Sequence, residues 1–235
     1  MPSITNKPFE YCGSLSELTL TRLHLAKLTE QSLLGLGSLK KLDMSYNKFV
    51  EFPENVFQWL GSLLEFNLSF NFLNNDLAMT SILDAFPQLE VLKLAGSSYS
   101  AFLQHSSILP YNFLGNQYEN IPVVMSLQGL REIDLSRNRI SSWPEGKFDG
   151  LQMLQTINLH GNSIEWIHAQ VFATLKNLQK LDLSKNLLKI FEGYFYLGNL
   201  QVLNLNMNML TDLGNATMMG EVEKQIFGLL FTRLG

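Results

Sequence analysis

The chain has 235 residues, of which 46% are hydrophobic and only 16% are charged, and its formal net charge is −4. This composition suits a protein with a continuous core, and the lack of a basic excess argues against nucleic acid as the partner. The sequence contains no run of 18 apolar residues, so it predicts no transmembrane helix. Its first residues lack the apolar stretch of a secretory signal, and its single cysteine cannot form an internal disulfide.

A leucine template, L-x-x-L-x-L-x-x-N-x-L, recurs along the chain with a usual period of 24 residues. Eight clear copies begin at residues 15, 39, 63, 89, 130, 154, 178 and 200. Leu23 and Ser97 stand where two of these copies would carry asparagine. A fixed period with a fixed internal template is the signature of a solenoid, so we predict a single repeat array over residues 1–235.

The template also predicts the direction of each side chain. In the L-x-L core of a copy, the leucines point to one face of a strand and the intervening residues to the other. We therefore predict an α/β solenoid with a curved parallel sheet on its concave face. The template asparagines should pair with backbone groups at the strand ends and are interpreted as structural: Asn47, Asn71, Asn138, Asn162, Asn186 and Asn208.

A second pattern, Phe-x-x-Leu-x-x-Leu, precedes several strands and begins at Phe57, Phe148 and Phe172. It predicts an aromatic column on the convex side, within connections made of short helical or extended turns. Cys12 follows Phe9 in the same pattern and takes a leucine position, which predicts a buried structural thiol.

The period breaks between residues 89 and 130. The segment 97–128 is either a degenerate repeat, with Asn116 in the asparagine position, or a loop insertion. Its aromatic residues, including Tyr99, Phe102 and Tyr118, either fill the core of that repeat or contact a ligand.

Both ends of the chain lie inside repeats. Phe9 and Cys12 open one at the start, and Phe231 and Leu234 open one at the end. Solenoids need capping units with a polar outer face, and neither end has one. We therefore expect a fragment of a longer array.

The template, the 24-residue period and the convex phenylalanines resemble the "typical" class of leucine-rich repeat, which is mainly extracellular. Within that class, the F-x-x-L-x-x-L-x-L-x-x-N-x-I rhythm, the interrupted repeat and the missing caps resemble part of a Toll-like receptor ectodomain. This resemblance implies a receptor that binds microbial or damage-derived ligands, dimerises with itself or another receptor chain, and signals through an intracellular part.

The outward positions of the sheet are the default binding surface of a solenoid. From the clean repeats, the candidate ligand-binding residues are Arg131, Asp134, Arg137, Asn158, His160, Lys180 and Asp182. Ser136, His160 and Asp182 could be arranged as a catalytic triad, but an open sheet offers no oxyanion pocket. The sequence contains no zinc-ligand spacing and no nucleotide-binding motif, so we expect no metal, no cofactor and no enzymatic activity.

Two glycosylation sequons are present, at Asn67 and Asn215. Asn67 should face out from the concave sheet, where a glycan would cover that face. Both sites require passage through the secretory pathway.

The leading hypothesis is a non-enzymatic recognition module on the extracellular side of the plasma membrane or in the endosomal lumen. It would bind a protein or microbial ligand on its concave or lateral face. The alternatives are a secreted or matrix adhesion protein and a cytoplasmic scaffold that binds a protein partner.

Overall fold

The computed structural model describes residues 2–73, 83, 85–86, 88–96, 118–119, 121, 124, 126–172, 174–191, 194–195, 199–211 and 217–218. The first seven strands are β1 Ser3–Ile4, β2 Glu17–Thr19, β3 Lys27–Leu28, β4 Lys41–Asp43, β5 Glu65–Asn67, β6 Val91–Lys93 and β7 Glu132–Asp134. The others are β8 Ser142–Trp143, β9 Thr156–Asn158, β10 Trp166–Ile167, β11 Lys180–Asp182, β12 Tyr194–Phe195, β13 Val202–Asn204 and β14 Thr217–Met218. A 3-10 helix, Ala169–Phe172, lies in a connecting segment.

Eight of these strands form one parallel sheet, in the order β2-β4-β5-β6-β7-β9-β11-β13. Each of the eight begins two residues after one of the predicted repeat starts. Neighbouring strands pair in register, so that Asp43 lies beside Asn67 and Asp134 beside Asn158. The structure therefore confirms the predicted solenoid, and residues at the same template position form columns across the sheet.

Two-stranded parallel sheets repeat the stacking where the chain has left the main sheet. They pair β1 with β3, β8 with β10, and β12 with β14. Ser3 pairs with Lys27, which lies one period further along the chain. Residues near the start of the chain therefore already follow the 24-residue spacing.

The core lies behind the main sheet. From β4 to β13, the middle residue of each main-sheet strand is buried: Leu42, Phe66, Leu92, Ile133, Ile157, Leu181 and Leu203. Phe57, Phe148 and Phe172 are also buried, and the Trp143 ring packs edge-on against Phe148 and Phe172 at about 5 Å between centroids. Cys12 is only partly buried at the edge of the core, which corrects the prediction of a buried thiol.

The six template asparagines are buried and hydrogen-bond across consecutive repeats. Asn162 is representative: its Nδ2 donates to Leu135 O and to Leu159 O, each at 3.0 Å, and its Oδ1 accepts from Ile140 N at 3.1 Å. One amide thus satisfies a carbonyl of its own repeat together with a carbonyl and an N–H group of the preceding one. This bonding holds the turn after six of the eight main-sheet strands and fixes the distance between the repeats that it joins.

The interrupted segment is placed by the same type of bond. Tyr118 N donates to Asn138 Oδ1, as Ile140 N does to Asn162 Oδ1 one repeat later. Tyr118 therefore holds the last apolar position of the repeat that begins at Leu89. β6 pairs directly with β7, so no strand lies between them in the main sheet. The choice between a degenerate repeat and a loop insertion concerns residues that lie mostly outside the described ones.

Replacing Asn162 by alanine should lower the free energy of unfolding by roughly 1–3 kcal/mol, because buried backbone groups lose their partner. The measurement is urea unfolding of the variant against the wild type. Asn177→Ala is the matched control, since Asn177 Nδ2 makes one hydrogen bond, to Gln152 O, at an exposed position. Equal stability losses in both variants would contradict the role given to the buried amide.

Candidate ligand-binding face

The outward side of the main sheet is built from the first and third residues of each strand. These residues are exposed or half-buried, whereas the middle residue is buried in seven of the eight strands. The first-residue column is Glu17, Lys41, Glu65, Val91, Glu132, Thr156, Lys180 and Val202. The third-residue column is Thr19, Asp43, Asn67, Lys93, Asp134, Asn158, Asp182 and Asn204. We call this surface, together with the exposed or half-buried residues that directly follow the strands, the sheet face.

Most side chains of the third-residue column also hold the backbone turn that follows the strand. Asp134 Oδ1 accepts from Ser136 N at 2.9 Å, and Asn158 Oδ1 accepts from His160 N at 3.0 Å. Asp182 Oδ1 accepts from Ser184 N at 2.8 Å. These predicted contact residues therefore have one oxygen committed to the fold, and the second oxygen of Asp182 also accepts, from Asn204 Nδ2 at 3.1 Å.

The first half of the sheet face contains a shallow depression between β2 and β6. Lys41 Nζ lies 3.1 Å from Glu65 Oε1 within it. The hydrogen bond and charge of Glu65, with a smaller contribution from Glu17, raise the pKa of Lys41. Both side chains are largely exposed, so this ion pair orders the surface more than it stabilises the fold.

The second half of the face centres on His160. Its Nδ1 lies 2.7 Å from Ser184 Oγ, and Ser184 Oγ donates to Asp182 Oδ1 at 2.5 Å. Because the single hydroxyl proton goes to Asp182, Nδ1 of His160 carries the hydrogen that Ser184 accepts. The serine bonded to His160 is therefore Ser184 and not Ser136, the serine of the conceivable triad. A catalytic triad needs the histidine between serine and aspartate, whereas Ser184 lies between His160 and Asp182.

The remaining predicted charged residues lie at the two edges of the face. Arg131, just before β7, pairs with Glu90 at 3.6 Å, while Lys180 is exposed at the start of β11. Arg137 is exposed beyond the far end of β7 and has a left-handed backbone with φ of 57°. The structure therefore brings Asp134, Arg137, His160 and Asp182 together, and leaves Arg131 and Lys180 at the opposite edge.

A column of left-handed residues directly precedes the asparagine position, and sequence reasoning missed it. It consists of Arg22, Tyr46, Phe70, Arg137, Gly161, Lys185 and Met207, all with positive φ. Arg22 lies over the Tyr46 ring at 4.2 Å, and Tyr46 stacks on Phe70 at 4.4 Å. This column could have been found in the sequence by comparing, from repeat to repeat, the residue that directly precedes the asparagine position.

Other predicted residues had different outcomes. Tyr118 is fully buried, so its prediction as a ligand contact was wrong, and it fills the core instead. Tyr99, Phe102 and Asn215 lie outside the described residues. Asn67 does lie on the sheet face, where its Nδ2 donates to Asp43 Oδ2 at 3.0 Å.

Two features are absent from the described part of the chain. It contains no group of three or more His, Cys, Asp or Glu side chains that could hold a metal ion. Within the same residues, no helix has the length and apolar character needed to cross a lipid bilayer.

A parallel sheet of in-register repeats, buried asparagine turns and an open polar face together define a repeat protein of the solenoid class. Residues 13–73 and 128–188, just over half of the chain, match the family model for the leucine rich repeat. The chain belongs to the leucine rich repeat family.

Individual relatives match only part of the chain. Leucine-rich repeat-containing G-protein coupled receptor 5 of Rattus norvegicus is 37% identical over 111 residues, which are 47% of this chain and 10% of that receptor. Keratocan of Gallus gallus is 36% identical over 93 residues, which are 38% of this chain and 26% of keratocan. The chain thus spans about a tenth of the one relative and about a quarter of the other.

A likeness in fold extends over more of the chain. The crystal structure of a TLR13–ssRNA13 complex superposes with a TM-score of 0.65 and 23% sequence identity, covering 86% of this chain and 30% of that one. At this identity the likeness concerns the fold, which resembles a Toll-like receptor ectodomain. The two matched relatives and the receptor in that complex are extracellular or membrane-associated leucine-rich-repeat proteins.

The environment of His160 predicts a pH-dependent stability. Partial burial lowers its pKa below the ordinary value of about 6.5; Lys185 and Arg137 add to this, and Asp182 and Asp134 oppose it. The unfolded chain therefore binds this proton more readily. The stability that His160 contributes is fully present above the unfolded pKa and is lost as the pH falls from there through the folded pKa.

We expect the wild type to lose stability relative to His160→Gln as the pH falls from 7.5 to 5. The quantity compared is the free energy of unfolding of the wild type minus that of the variant. Urea unfolding of both proteins at several pH values measures this difference. A difference that is constant or grows as the pH falls would mean that the folded-state pKa of His160 is not lowered.

Proposed function

We propose that this chain is a non-enzymatic recognition module, part of the ectodomain of a receptor of the Toll-like kind. It binds a protein, or a microbial or damage-derived ligand, through the sheet face or the lateral face beside it. Signalling would then follow dimerisation of the receptor, through parts beyond this chain.

The observation that carries this proposal is the register of the main sheet. Eight strands present polar and charged side chains in straight columns on one open surface. Positively charged, negatively charged and neutral polar side chains lie side by side there, and a large ligand can contact several repeats at once. Their rigid spacing limits the entropy lost when a ligand binds.

The arrangement around His160 supports a binding role over a catalytic one. Ser184 donates its proton to Asp182 and accepts from His160, so no serine on the described face is hydrogen-bonded as a base-activated nucleophile. Here the histidine and its partners order a surface. Such ordering favours recognition of a ligand over attack on one.

The choice among receptor, matrix protein and scaffold rests on different observations. The 37% identity to a leucine-rich-repeat receptor supports a receptor role, and the 86% coverage by a Toll-like fold supports the Toll-like kind. The 36% identity to keratocan favours the second candidate, a secreted or matrix protein.

Glu132→Lys, Thr156→Arg and Lys180→Glu, combined in one variant, should weaken ligand binding by at least about tenfold, since they change three neighbouring side chains of the sheet face. The full-length ectodomain is tested by biolayer interferometry against microbial products, extracellular proteins and single-stranded RNA. The control combines Asp149→Lys, Gln152→Arg and Lys176→Glu, an equal change of charge at exposed positions of the connecting segments.

The control variant should bind within about twofold of the wild type. Ligands that tolerate the sheet-face variant but are lost in the control would place recognition on the connecting segments and contradict the proposal. Strongest binding to RNA would overturn the expectation that nucleic acid is not the partner.

Glycosylation separates the compartments. In the full-length protein made in mammalian cells, we expect a glycan on Asn67 or Asn215, seen as a mass loss on glycosidase treatment, with Asn67→Gln and Asn215→Gln assigning the site. An unmodified protein at both positions would favour the cytoplasmic scaffold. A membrane span followed by an α/β signalling domain in the full-length sequence fits only the receptor.

A further inference from the structure

Positive charge gathers at one point of the second half of the sheet face. Arg137, His160 and Lys185 come from three consecutive repeats, and Gly161 lies between them. Both Arg137 and Lys185 interact electrostatically with the His160 ring. We call these four residues the Gly161 notch.

Gly161 opens the notch because it holds the left-handed column position that carries a side chain in the repeats on either side. A Cβ added at Gly161 would lie 3.5 Å from Arg137 Cγ, so the stem of Arg137 runs over the glycine. Gly161 itself places no side chain between Arg137 and Lys185. With strands about 4.8 Å apart, the backbones of these two residues are roughly 10 Å apart, so their long side chains can approach the same ligand group.

His160 forms one wall of the notch and is held in orientation. Its Nδ1–H is committed to Ser184 Oγ, which is in turn committed to Asp182. Nε2 is the ring nitrogen that remains for a ligand, and it becomes a donor when the ring is protonated.

The charges around the notch define what it can bind. Within the described residues, neither Arg137 nor Lys185 takes part in an ion pair. The nearby acids are already engaged: Asp134 accepts from Ser136 N, while Asp182 accepts from Ser184 and from Asn204 Nδ2. The notch therefore presents cationic donors outward, with an acid at each flank.

We propose that Arg137, His160 and Lys185 bind a single carboxylate, the side chain of an aspartate or glutamate on a protein partner. A planar carboxylate matches the fork of an arginine and can accept from the two other groups as well. The flanking Asp134 and Asp182 repel a chain of successive phosphates but tolerate one isolated charge. This inference rests on the proposed function, because it names the chemistry recognised by part of the sheet face.

The site predicts that binding takes up a proton. A carboxylate held against His160 stabilises the imidazolium and raises its pKa, which is lowered in the free protein. Affinity should therefore increase as the pH falls from 7.5 to 5.5. The charged groups that bear on His160 are Arg137 and Asp134 from the preceding repeat, and Lys185 and Asp182 from the following one.

The test follows the His160 imidazole by NMR while the capped peptide acetyl-Gly-Glu-Gly-amide is added. His160→Gln assigns its signal, and His168, whose Nδ1 lies 3.8 Å from Glu145, serves as an internal control. The glutamate peptide should shift the His160 signal and raise its pKa, with tighter binding at pH 5.5. The peptide acetyl-Gly-Gln-Gly-amide should do neither.

Arg137→Gln combined with Lys185→Gln should weaken binding of the glutamate peptide at least about tenfold. Lys189→Gln, which removes an exposed charge outside the notch, should leave it unchanged. Equal responses to the glutamate and glutamine peptides, or an unchanged response in the double variant, would overturn the site. Tighter binding of inorganic phosphate or of a ten-nucleotide single-stranded RNA would overturn the choice of carboxylate.

The two proposals can fail separately. If the glutamate peptide does not bind while the sheet-face variant still abolishes ligand binding, the notch is rejected and the proposed function stands. If the peptide binds as expected while ectodomain ligands tolerate the sheet-face variant, the notch is real and the wider recognition role is rejected.

Discussion

The structure depends on a buried asparagine amide that satisfies backbone groups in the turn after six of the eight main-sheet strands. At the end of each strand the chain must turn away from the sheet, and the turn leaves peptide groups inside the core. This holds for the first and last strands, which have a neighbour on one side only, as well as for the interior strands. Unpaired, those groups would cost about 1–3 kcal/mol for each turn. The amide of Asn162 binds groups of two repeats at once, so it joins consecutive turns as well as closing its own.

This bonding between consecutive repeats explains why the repeats stay in register and why the array tolerates extra residues. Since the asparagine of one repeat accepts from the last apolar residue position of the repeat before, the register cannot slip by a residue without losing bonds at every turn. Extra chain is tolerated between those two points. In the long repeat that begins at Leu89, β6 still pairs directly with β7 and Tyr118 N still donates to Asn138 Oδ1, so the sheet and the bonding of Asn138 continue.

Much of the fold could be predicted because these constraints recur locally. The period placed each main-sheet strand, and the alternation within L-x-L gave the buried face. Side-chain contacts between neighbouring repeats were not predicted, because they join residues about 24 positions apart whose rotamers the template does not fix. The bond from His160 to Ser184 and the stack of Tyr46 on Phe70 are of this type. Tyr118 was misjudged for a related reason: its role depends on Asn138, twenty residues later.

The left-handed column shows how a rigid repeat can leave a surface free to differ. The turn demands a positive φ at this position, a conformation that costs a non-glycine residue roughly 1–2 kcal/mol, and the surrounding hydrogen bonds enforce it. They do not constrain the side chain, which points away from the core. The position therefore holds aromatic rings at Tyr46 and Phe70, cations at Arg137 and Lys185, and no side chain at Gly161. One backbone constraint thus yields different chemistry along the edge of the face, and the cationic notch lies where a glycine interrupts that column.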